Sequence, residues 1–235
     1  MNETVIDLLR RATARWRDEP AMKVKRNHGW HTTTWGEYHD QVMLAGRALM
    51  ALGLEPGKGI VISGNNRPEW FLSNLGAIAA GGIPAGIYTT SSPEQCAYIA
   101  DHAEAAVAVL ETPELVAKFL QQRSTMPGLR AIVLMEGEHE DPLVLSWNEF
   151  LAHADRVPED QLEDRIARLD PAALCSLIYT SGTTGPPKAV MLSHTNVVWT
   201  SAVSKQMLDL GENDQLLSYL PLSHIAEQIV TQYIP

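Results

Sequence analysis

The sequence predicts an α/β fold with a layered, mostly parallel sheet flanked by helices. Short, continuously apolar segments alternate with amphipathic ones, which is typical of strands covered by helices on both faces. Ser or Thr followed three residues later by Glu marks helix starts at Thr34 and Ser146. The chain has 235 residues, 45% hydrophobic and 20% charged, so it can bury a large core without disulfides or metals.

The predicted elements follow one another along the chain. Apolar residues at helical spacing predict a first helix over 5–16, and strands at 22–25 and 30–34 form a hairpin. The capping box at Thr34 begins a helix that Gly53 ends. The later segments are strands at 59–63, 83–88, 106–110, 130–135, 174–179 and 189–192, and helices at 68–80, 92–101, 113–122, within 153–170, 195–207 and 225–233.

A change of subdomain is predicted near residue 170. Residues 1–170 then form a first α/β subdomain, and residues 171–235 begin a second one that carries the loop described below. Trp70 and Trp199 are expected in the core. Cys96 and Cys175 are expected to be buried rather than reactive.

Charge and cysteine content exclude several classes of protein. The chain has 18 Lys and Arg against 28 Asp and Glu, and this net charge of −10 argues against a nucleic-acid partner. The two cysteines form neither a disulfide framework nor a zinc-spaced set, so we expect a reducing, cytoplasmic location. The N-terminus lacks an apolar signal core. The longest stretch free of strongly polar side chains, 75–88, is too short for a transmembrane segment.

The most unusual segment is the loop at 180–188. It holds four hydroxyl side chains, two glycines and a lysine within nine residues, and Lys188 is one of two cations in 171–235. Glycines let successive backbone N–H groups point at an anion, and hydroxyls and Lys188 add donors. The loop therefore predicts a polyphosphate site, and the alternative is an ordinary surface turn. A Walker-type loop does not fit, because two prolines separate Gly185 from Lys188.

This loop resembles the signature of the adenylate-forming superfamily, which includes acyl-CoA synthetases and peptide-synthetase adenylation domains. The residues that carry the resemblance are Tyr179-Thr180-Ser181-Gly182-Thr183-Thr184-Gly185 and Pro187-Lys188. Segments 66–70, 81–83, 86–93 and 220–227 are similar to long-chain fatty acyl-CoA synthetases, with the bubblegum-type group as the nearest branch. The resemblance spans nearly the whole chain and implies the N-terminal part of the acyl-CoA synthetase fold.

The resemblance implies a two-step reaction. A fatty acid carboxylate attacks the α-phosphate of ATP to give an acyl-adenylate and pyrophosphate, and the thiol of CoA then displaces AMP. Mg²⁺ shares the charge of the phosphates, and no metal ligand is assigned to the protein. The residues expected to hold the β- and γ-phosphates are Thr180, Ser181, Gly182, Thr183, Thr184, Gly185 and Lys188. The family usually has glycine after this lysine, and Ala189 stands there instead.

Two Ser-His pairs precede helical segments, Ser193–His194 and Ser223–His224. Serine is a natural N-cap, which places each histidine in a first helical turn. His194 is expected to have packing duties only. The resemblance places His224 beside the acyl-adenylate, so His224 and Lys188 are the candidate catalytic residues, with pocket shaping and hydrogen bonding as the role of His224.

Later motifs of the family are absent, so the resemblance implies the N-terminal part of a longer ligase, inactive by itself. Its partners are then fatty acid, ATP and CoA, with a peripheral membrane contact of the full-length protein. An uncovered sheet edge near the C-terminus predicts exposed apolar surface and self-association. The alternatives are a short non-catalytic binding or scaffold protein with the same fold, and an adenylate-forming enzyme with another acid or acceptor.

Overall fold

The computed structural model of the chain describes residues 2–26, 29–180 and 185–234. Its first elements are a helix, a two-stranded hairpin and a longer helix: α1 (Val5–Trp16), β1 (Pro20–Arg26), β2 (Gly29–Thr34) and α2 (Trp35–Ala51). Thr4 and Thr34 cap the two helices, each accepting the backbone N–H three positions on, which contributes about 1 kcal/mol per cap. Gly53 follows α2 with φ of 92°, the left-handed conformation that ends many helices.

Within the described residues, seven strands form the central sheet in the order β7-β6-β5-β3-β4-β8-β9. Neighbouring strands are parallel except for the antiparallel pair β8 and β9. The strands are β3 (Gly59–Ser63), β4 (Ile83–Gly86), β5 (Ala105–Leu110), β6 (Ala131–Leu134), β7 (Val144–Ser146), β8 (Leu174–Thr180) and β9 (Lys188–Ser193).

Helices cover both faces of this sheet, which explains why its inner strands are continuously apolar. One core cluster contains Trp70 and Phe150 and joins the sheet to α1 and α2, while the other contains Val116 and Phe119. The remaining helices are α3 (Pro68–Ala79), α4 (Pro93–His102), α5 (Pro113–Gln121), α6 (Trp147–Ala152), α7 (Glu159–Ile166), α8 (His194–Met207) and α9 (Ile225–Gln228), which continues as a π-helix over Ile229–Tyr233.

The sheet places a crevice at the carboxyl ends of its central strands. After β3 the chain enters α3, which packs in the first core cluster, and after β4 it enters α4, which packs in the second. Adjacent strands whose following helices lie on opposite faces leave an opening at the sheet edge, and ligands of open α/β sheets bind there. The β8–β9 hairpin ends at the same edge, beside β4.

The predicted fold class is confirmed, and most elements lie within a few residues of their predicted positions. Trp70 is buried as expected, and so are Cys96 and Cys175. The expectation for Trp199 is wrong, because its side chain is 57% exposed on α8. The short strand β7 was not predicted. The division into 1–170 and 171–235 stays a prediction.

Large apolar side chains are exposed along the last part of the chain. They are Val190, Met191, Trp199, Met207, Leu208, Leu216, Leu217, Tyr219 and Leu220. This agrees with the predicted apolar surface near the C-terminus, whereas self-association and membrane contact stay predictions. Among the described residues, no helix combines the length and apolar character that crossing a bilayer requires.

Candidate active site

The β8–β9 hairpin holds both ends of the predicted phosphate loop. Thr180 is the register partner of Lys188, and Tyr179 is the partner of Ala189. Ser181, Gly182, Thr183 and Thr184, four of the predicted site residues, lie outside the described residues. The predicted strand–loop–strand arrangement is confirmed, and the Walker arrangement is excluded because Lys188 begins a strand rather than a helix.

Register places the two described ends of the loop on one face of the hairpin. Directly opposed residues of an antiparallel pair project to the same side, and so do residues two positions apart on one strand. Lys188 therefore leaves the sheet on the face that also carries Ile178 and Val190, which are opposed to each other. Both Thr180 and Lys188 are exposed to solvent.

An open cleft of about 420 Å³ lies against this face of the hairpin. Two predicted site residues from distant parts of the sequence, Thr180 and His224, meet in it. Lys188 does not line it, although it starts on the same face. The residues lining the cleft are Tyr88, Ile178, Tyr179, Thr180, Val190, Leu192, His224 and Ile225. The cleft thus has mostly apolar walls with an imidazole and the hydroxyl-bearing residues Thr180, Tyr88 and Tyr179, which is the usual composition of a small-molecule site.

His224 is held as the N-cap of α9. Its own side chain caps the helix, because Nδ1 accepts the backbone N–H of Ala226 at 3.2 Å. The expectation that Ser223 is the cap is therefore wrong. Ser223 is buried against the sheet, and His224 has the extended backbone of a cap, with φ of −100° and ψ of 129°. With Nδ1 accepting, the neutral imidazole carries its proton on Nε2, which leaves Nε2–H as a donor.

Gly86 makes room for the segment that carries His224. A Cβ atom at Gly86, the last residue of β4, would lie 2.7 Å from the Cα atom of Ser223. Real side chains do not approach a backbone so closely, so only glycine lets this segment pack on the end of β4. Gly86 was not among the predicted site residues, although a glycine inside an apolar strand is a recognised sign of close backbone approach.

Gly185 has the backbone conformation that glycine favours. Its φ is 100°, and a Cβ atom there would meet nothing within 4 Å among the residues that the structure describes. Glycine adopts this left-handed conformation without the penalty that a side chain would carry, so the requirement for glycine is conformational. Ala189, which replaces the usual glycine of the family, lies in β9 and is not among the described residues with positive φ.

Tyr179 fixes the end of β8 to α4 just before the loop. Its hydroxyl and Nδ1 of His102 are 2.8 Å apart, and Tyr98 stacks on the His102 ring. Burial raises the pKa of Tyr179 to about 12, so the phenol stays protonated at neutral pH. Tyr179 and Tyr88 line the cleft but were not predicted as site residues.

His194 lies outside the cleft, as its predicted packing role requires. Its side chain is 1% exposed, and Nδ1 accepts the backbone N–H of Val5 at 3.1 Å. Burial lowers the pKa of His194 to about 4, opposed only in part by the nearby Asp7 and Asp170 carboxylates. Ser193 is the N-cap of α8, as predicted.

Comparison with known proteins identifies the family. The sequence profile described as AMP-binding enzyme matches residues 9–235. The chain belongs to this family. Long-chain-fatty-acid–CoA ligase ACSBG2 of Xenopus laevis is 40% identical over 233 residues, and ACSBG1 of Homo sapiens is 38% identical over 232 residues. These alignments cover 97% and 96% of this chain but 32% of each relative, so the chain spans about a third of their length.

Solved structures show the same fold for this chain. The long-chain-fatty-acid-CoA ligase FadD1 from Archaeoglobus fulgidus aligns with a TM-score of 0.80 and 18% identity. The alignment covers 98% of this chain and 44% of that one. The profile match and the ACSBG relatives confirm the predicted resemblance to the adenylate-forming superfamily and its long-chain acyl-CoA synthetases.

The chemistry of the described loop ends is compatible with Mg²⁺ brought by a nucleotide. Among the described residues, no group of three or more His, Cys, Asp or Glu side chains could hold a metal ion. Mg²⁺ commonly takes one or two protein oxygens together with substrate phosphates and water. Thr180, which lines the cleft, carries a hydroxyl group whose oxygen is a hard ligand of that kind.

Proposed function

We propose that the chain supplies the triphosphate-holding loop and part of the substrate cleft of an AMP-forming long-chain-fatty-acid–CoA ligase. The observation that carries the proposal is the meeting of Thr180 and His224 in one cleft. The names of the relatives support the choice of a fatty acid and CoA as substrates. The overall reaction converts ATP, fatty acid and CoA into acyl-CoA, AMP and pyrophosphate.

Positioning and charge stabilisation are the main tasks of such a site, because a carboxylate must approach a polyanion. Thr180 and the loop residues 181–185 donate hydrogen bonds to the β- and γ-phosphates. Lys188 adds a positive charge on the same face of the hairpin, in a region with one other cation, Lys205. Mg²⁺, bound with ATP, supplies further positive charge to the leaving pyrophosphate.

His224 acts as a hydrogen-bond donor in this proposal. Its Nδ1 is occupied by the N–H of Ala226, so the Nε2–H group is the one available to a substrate oxygen. A donor at this position orients a carboxylate or the acyl-adenylate carbonyl and needs no proton transfer. The apolar walls of the cleft, such as Ile178 and Leu192, exclude water from the same space.

The phosphate role is tested by the affinity of the chain for MgATP and for magnesium pyrophosphate, measured by isothermal titration calorimetry. Lys188→Met should weaken both about tenfold or more, equivalent to about 1.4 kcal/mol or more. Lys205→Met is the matched control, because it removes the same charge from the last turn of α8 rather than from the hairpin that holds the loop. Equal affinities of wild type and Lys188→Met would refute the role of Lys188.

The same measurement separates the alternatives that the sequence leaves open. A non-catalytic scaffold predicts that the wild-type chain binds neither ligand. The acid is identified in the natural protein that contains these residues, by screening fatty acids of graded length for pyrophosphate release. Pyrophosphate release that occurs with other carboxylic acids but with none of the fatty acids would contradict the fatty acid assignment. It would leave the assignment to the adenylate-forming enzymes in place.

A further inference from the structure

Glu227 is a buried carboxylate to which the proposed chemistry gives no role. It lies on α9, three residues after His224, and is 2% exposed. Its Oε1 accepts the hydroxyl of Ser218 at 2.6 Å and the N–H of Tyr219 at 3.1 Å. Its Oε2 accepts the N–H of Leu220 at 3.2 Å. One side chain thus fixes three consecutive residues that precede the helix.

Asn66 connects this arrangement to the central sheet. It lies between β3 and α3, at the carboxyl edge of the sheet. Its Nδ2 donates to Oγ of Ser218 and to the carbonyl oxygen of Leu220, both at 2.7 Å. The hydroxyl of Ser218 therefore accepts from Asn66 and donates to Glu227. Such a chain of hydrogen bonds is mutually strengthening in a part-buried environment.

We call Asn66, Ser218 and Glu227 the latch. Residues 221–224, which link the latch to α9, are held from both sides. The N–H of His224 donates to the carbonyl of Pro221 at 2.9 Å, and Nε2 of Gln228 donates to the carbonyl of Leu222 at 2.7 Å. Ser223, in the middle of this segment, packs on Gly86. The latch is therefore attached to both ends of the segment that carries the His224 imidazole.

An ordinary helix cap does not account for Glu227. In a capping box, the third residue of the helix reaches back to the N–H of the cap residue, as Glu149 does to Ser146 in α6. Glu227 occupies the equivalent position of α9, but its carboxylate passes the cap and accepts from residues seven to nine positions earlier. The capping acceptor of α9 is instead the side chain of His224.

We propose that Glu227 is a positioning residue, which, through Ser218 and Asn66, sets the location and orientation of His224 at the wall of the cleft. This inference rests on the proposed function only for the use made of His224. It extends the site from the cleft to a carboxylate that does not line it. It also couples that wall to the loop after β3.

The proposal is tested by hydrogen exchange and histidine spectroscopy on the 235-residue chain without ligand. Histidine labelled at Cε1 gives a resonance for each of the eight histidines, and the His224 signal is assigned by its loss in His224→Gln. Glu227→Ala should shift or broaden the His224 signal, while the signals of His102 and His194 stay in place. The amides of Tyr219 and Leu220 should exchange at least about tenfold faster.

Two further variants grade the effect. Glu227→Gln retains an acceptor for Ser218 and Tyr219 but presents an amide group to the N–H of Leu220. It should accelerate exchange at Leu220 more than at Tyr219 and shift His224 less than alanine does. Asn66→Ala removes the connection to the sheet at a partly exposed position. It should shift the His224 signal too, which keeps the proposal falsifiable if Glu227→Ala does not fold.

Glu149→Gln is the matched control, because this carboxylate also accepts a backbone N–H and a serine hydroxyl, but next to β7 at the far edge of the sheet. It should leave the His224 signal unchanged. An unchanged His224 signal in both Glu227→Gln and Asn66→Ala, or equal shifts of all histidines, would overturn the positioning role. Failure of the wild-type chain to bind MgATP would count against the proposed function alone, since these spectra need no ligand.

Discussion

Replacing His194 with glutamine is expected to remove a large part of the acid sensitivity of the fold. The imidazole is buried between α8 and the start of α1, where Nδ1 accepts the N–H of Val5 at 3.1 Å. An acceptor at this position must be unprotonated, and burial lowers the pKa of His194 to about 4. Glutamine can offer its amide oxygen to the same N–H, but it does not titrate.

The size of the effect follows from the two pKa values. In the unfolded chain the ordinary value is about 6.5, and in the folded chain it is about 4. Between these values the unfolded state binds a proton that the folded state does not, so stability falls as the pH falls. At about 1.4 kcal/mol per pH unit, His194 should cost about 3 kcal/mol of unfolding free energy by pH 4. The stability associated with the neutral histidine is fully present above pH 6.5 and is lost progressively as the pH falls towards 4.

Urea unfolding at a series of pH values between 7.5 and 4 measures this difference. Wild type and His194→Gln share every other titrating group, so their difference in unfolding free energy isolates the histidine. That difference should move in favour of the variant by about 3 kcal/mol as the pH falls. A difference that stays constant over the whole range would refute the reasoning, because it would mean that His194 titrates alike in both states.

Two glycines carry further predictions. Gly86→Ala should destabilise the fold by about 1–3 kcal/mol and weaken MgATP binding, because the new Cβ would lie 2.7 Å from the Cα atom of Ser223. Thermal unfolding measures the first effect and calorimetry the second. Gly128→Ala is the control for both, because its new Cβ would have its nearest contact at 4.0 Å. Gly185→Ala should cost about 1 kcal/mol of unfolding free energy through its φ of 100° alone, and an unchanged urea midpoint would contradict this conformational requirement.

Local patterns in the sequence were sufficient to predict much of the fold. The capping boxes at Thr34 and Ser146 are present, and the alternation of apolar and amphipathic segments correctly predicted a mostly parallel sheet. These features depend on residues a few positions apart. The three-residue strand β7 was missed because its pattern is too short to stand out, and within the described residues it pairs with β6 alone.

The site was predictable only in part, because its remaining features join distant residues. The proposed polyphosphate loop is continuous in sequence, so Thr180 and Lys188 could be proposed as site residues from local pattern alone. The contact of Gly86 with Ser223 and the hydrogen bonds of Asn66 to Ser218 and Leu220 depend on folding together segments more than a hundred residues apart. The capping role of His224 depends on its extended backbone angles, which the Ser-His pair of residue types does not reveal.

Trp199 shows the limit of reasoning from residue type. Its neighbours Val197 and Val198 are buried, and Trp199 projects from the other side of α8 into solvent. A large aromatic side chain favours burial, but the helix can bury only one face. Sequence spacing around Trp199 does not distinguish the two faces, because apolar residues occur on both.

The pairing of Thr180 with Lys188 makes the hairpin tolerant of some changes in length and sensitive to others. Extra residues between these two positions lengthen a loop, at a modest cost in closure entropy. One extra residue inside β9, just after Lys188, has a different effect, because side chains alternate along a strand. If the rest of β9 kept its pairing, the ammonium group of Lys188 would lie on the opposite face of the sheet, away from the cleft. Homologous chains that differ in loop length can therefore keep the lysine on the same face, provided that the alternation of side chains along β9 is preserved.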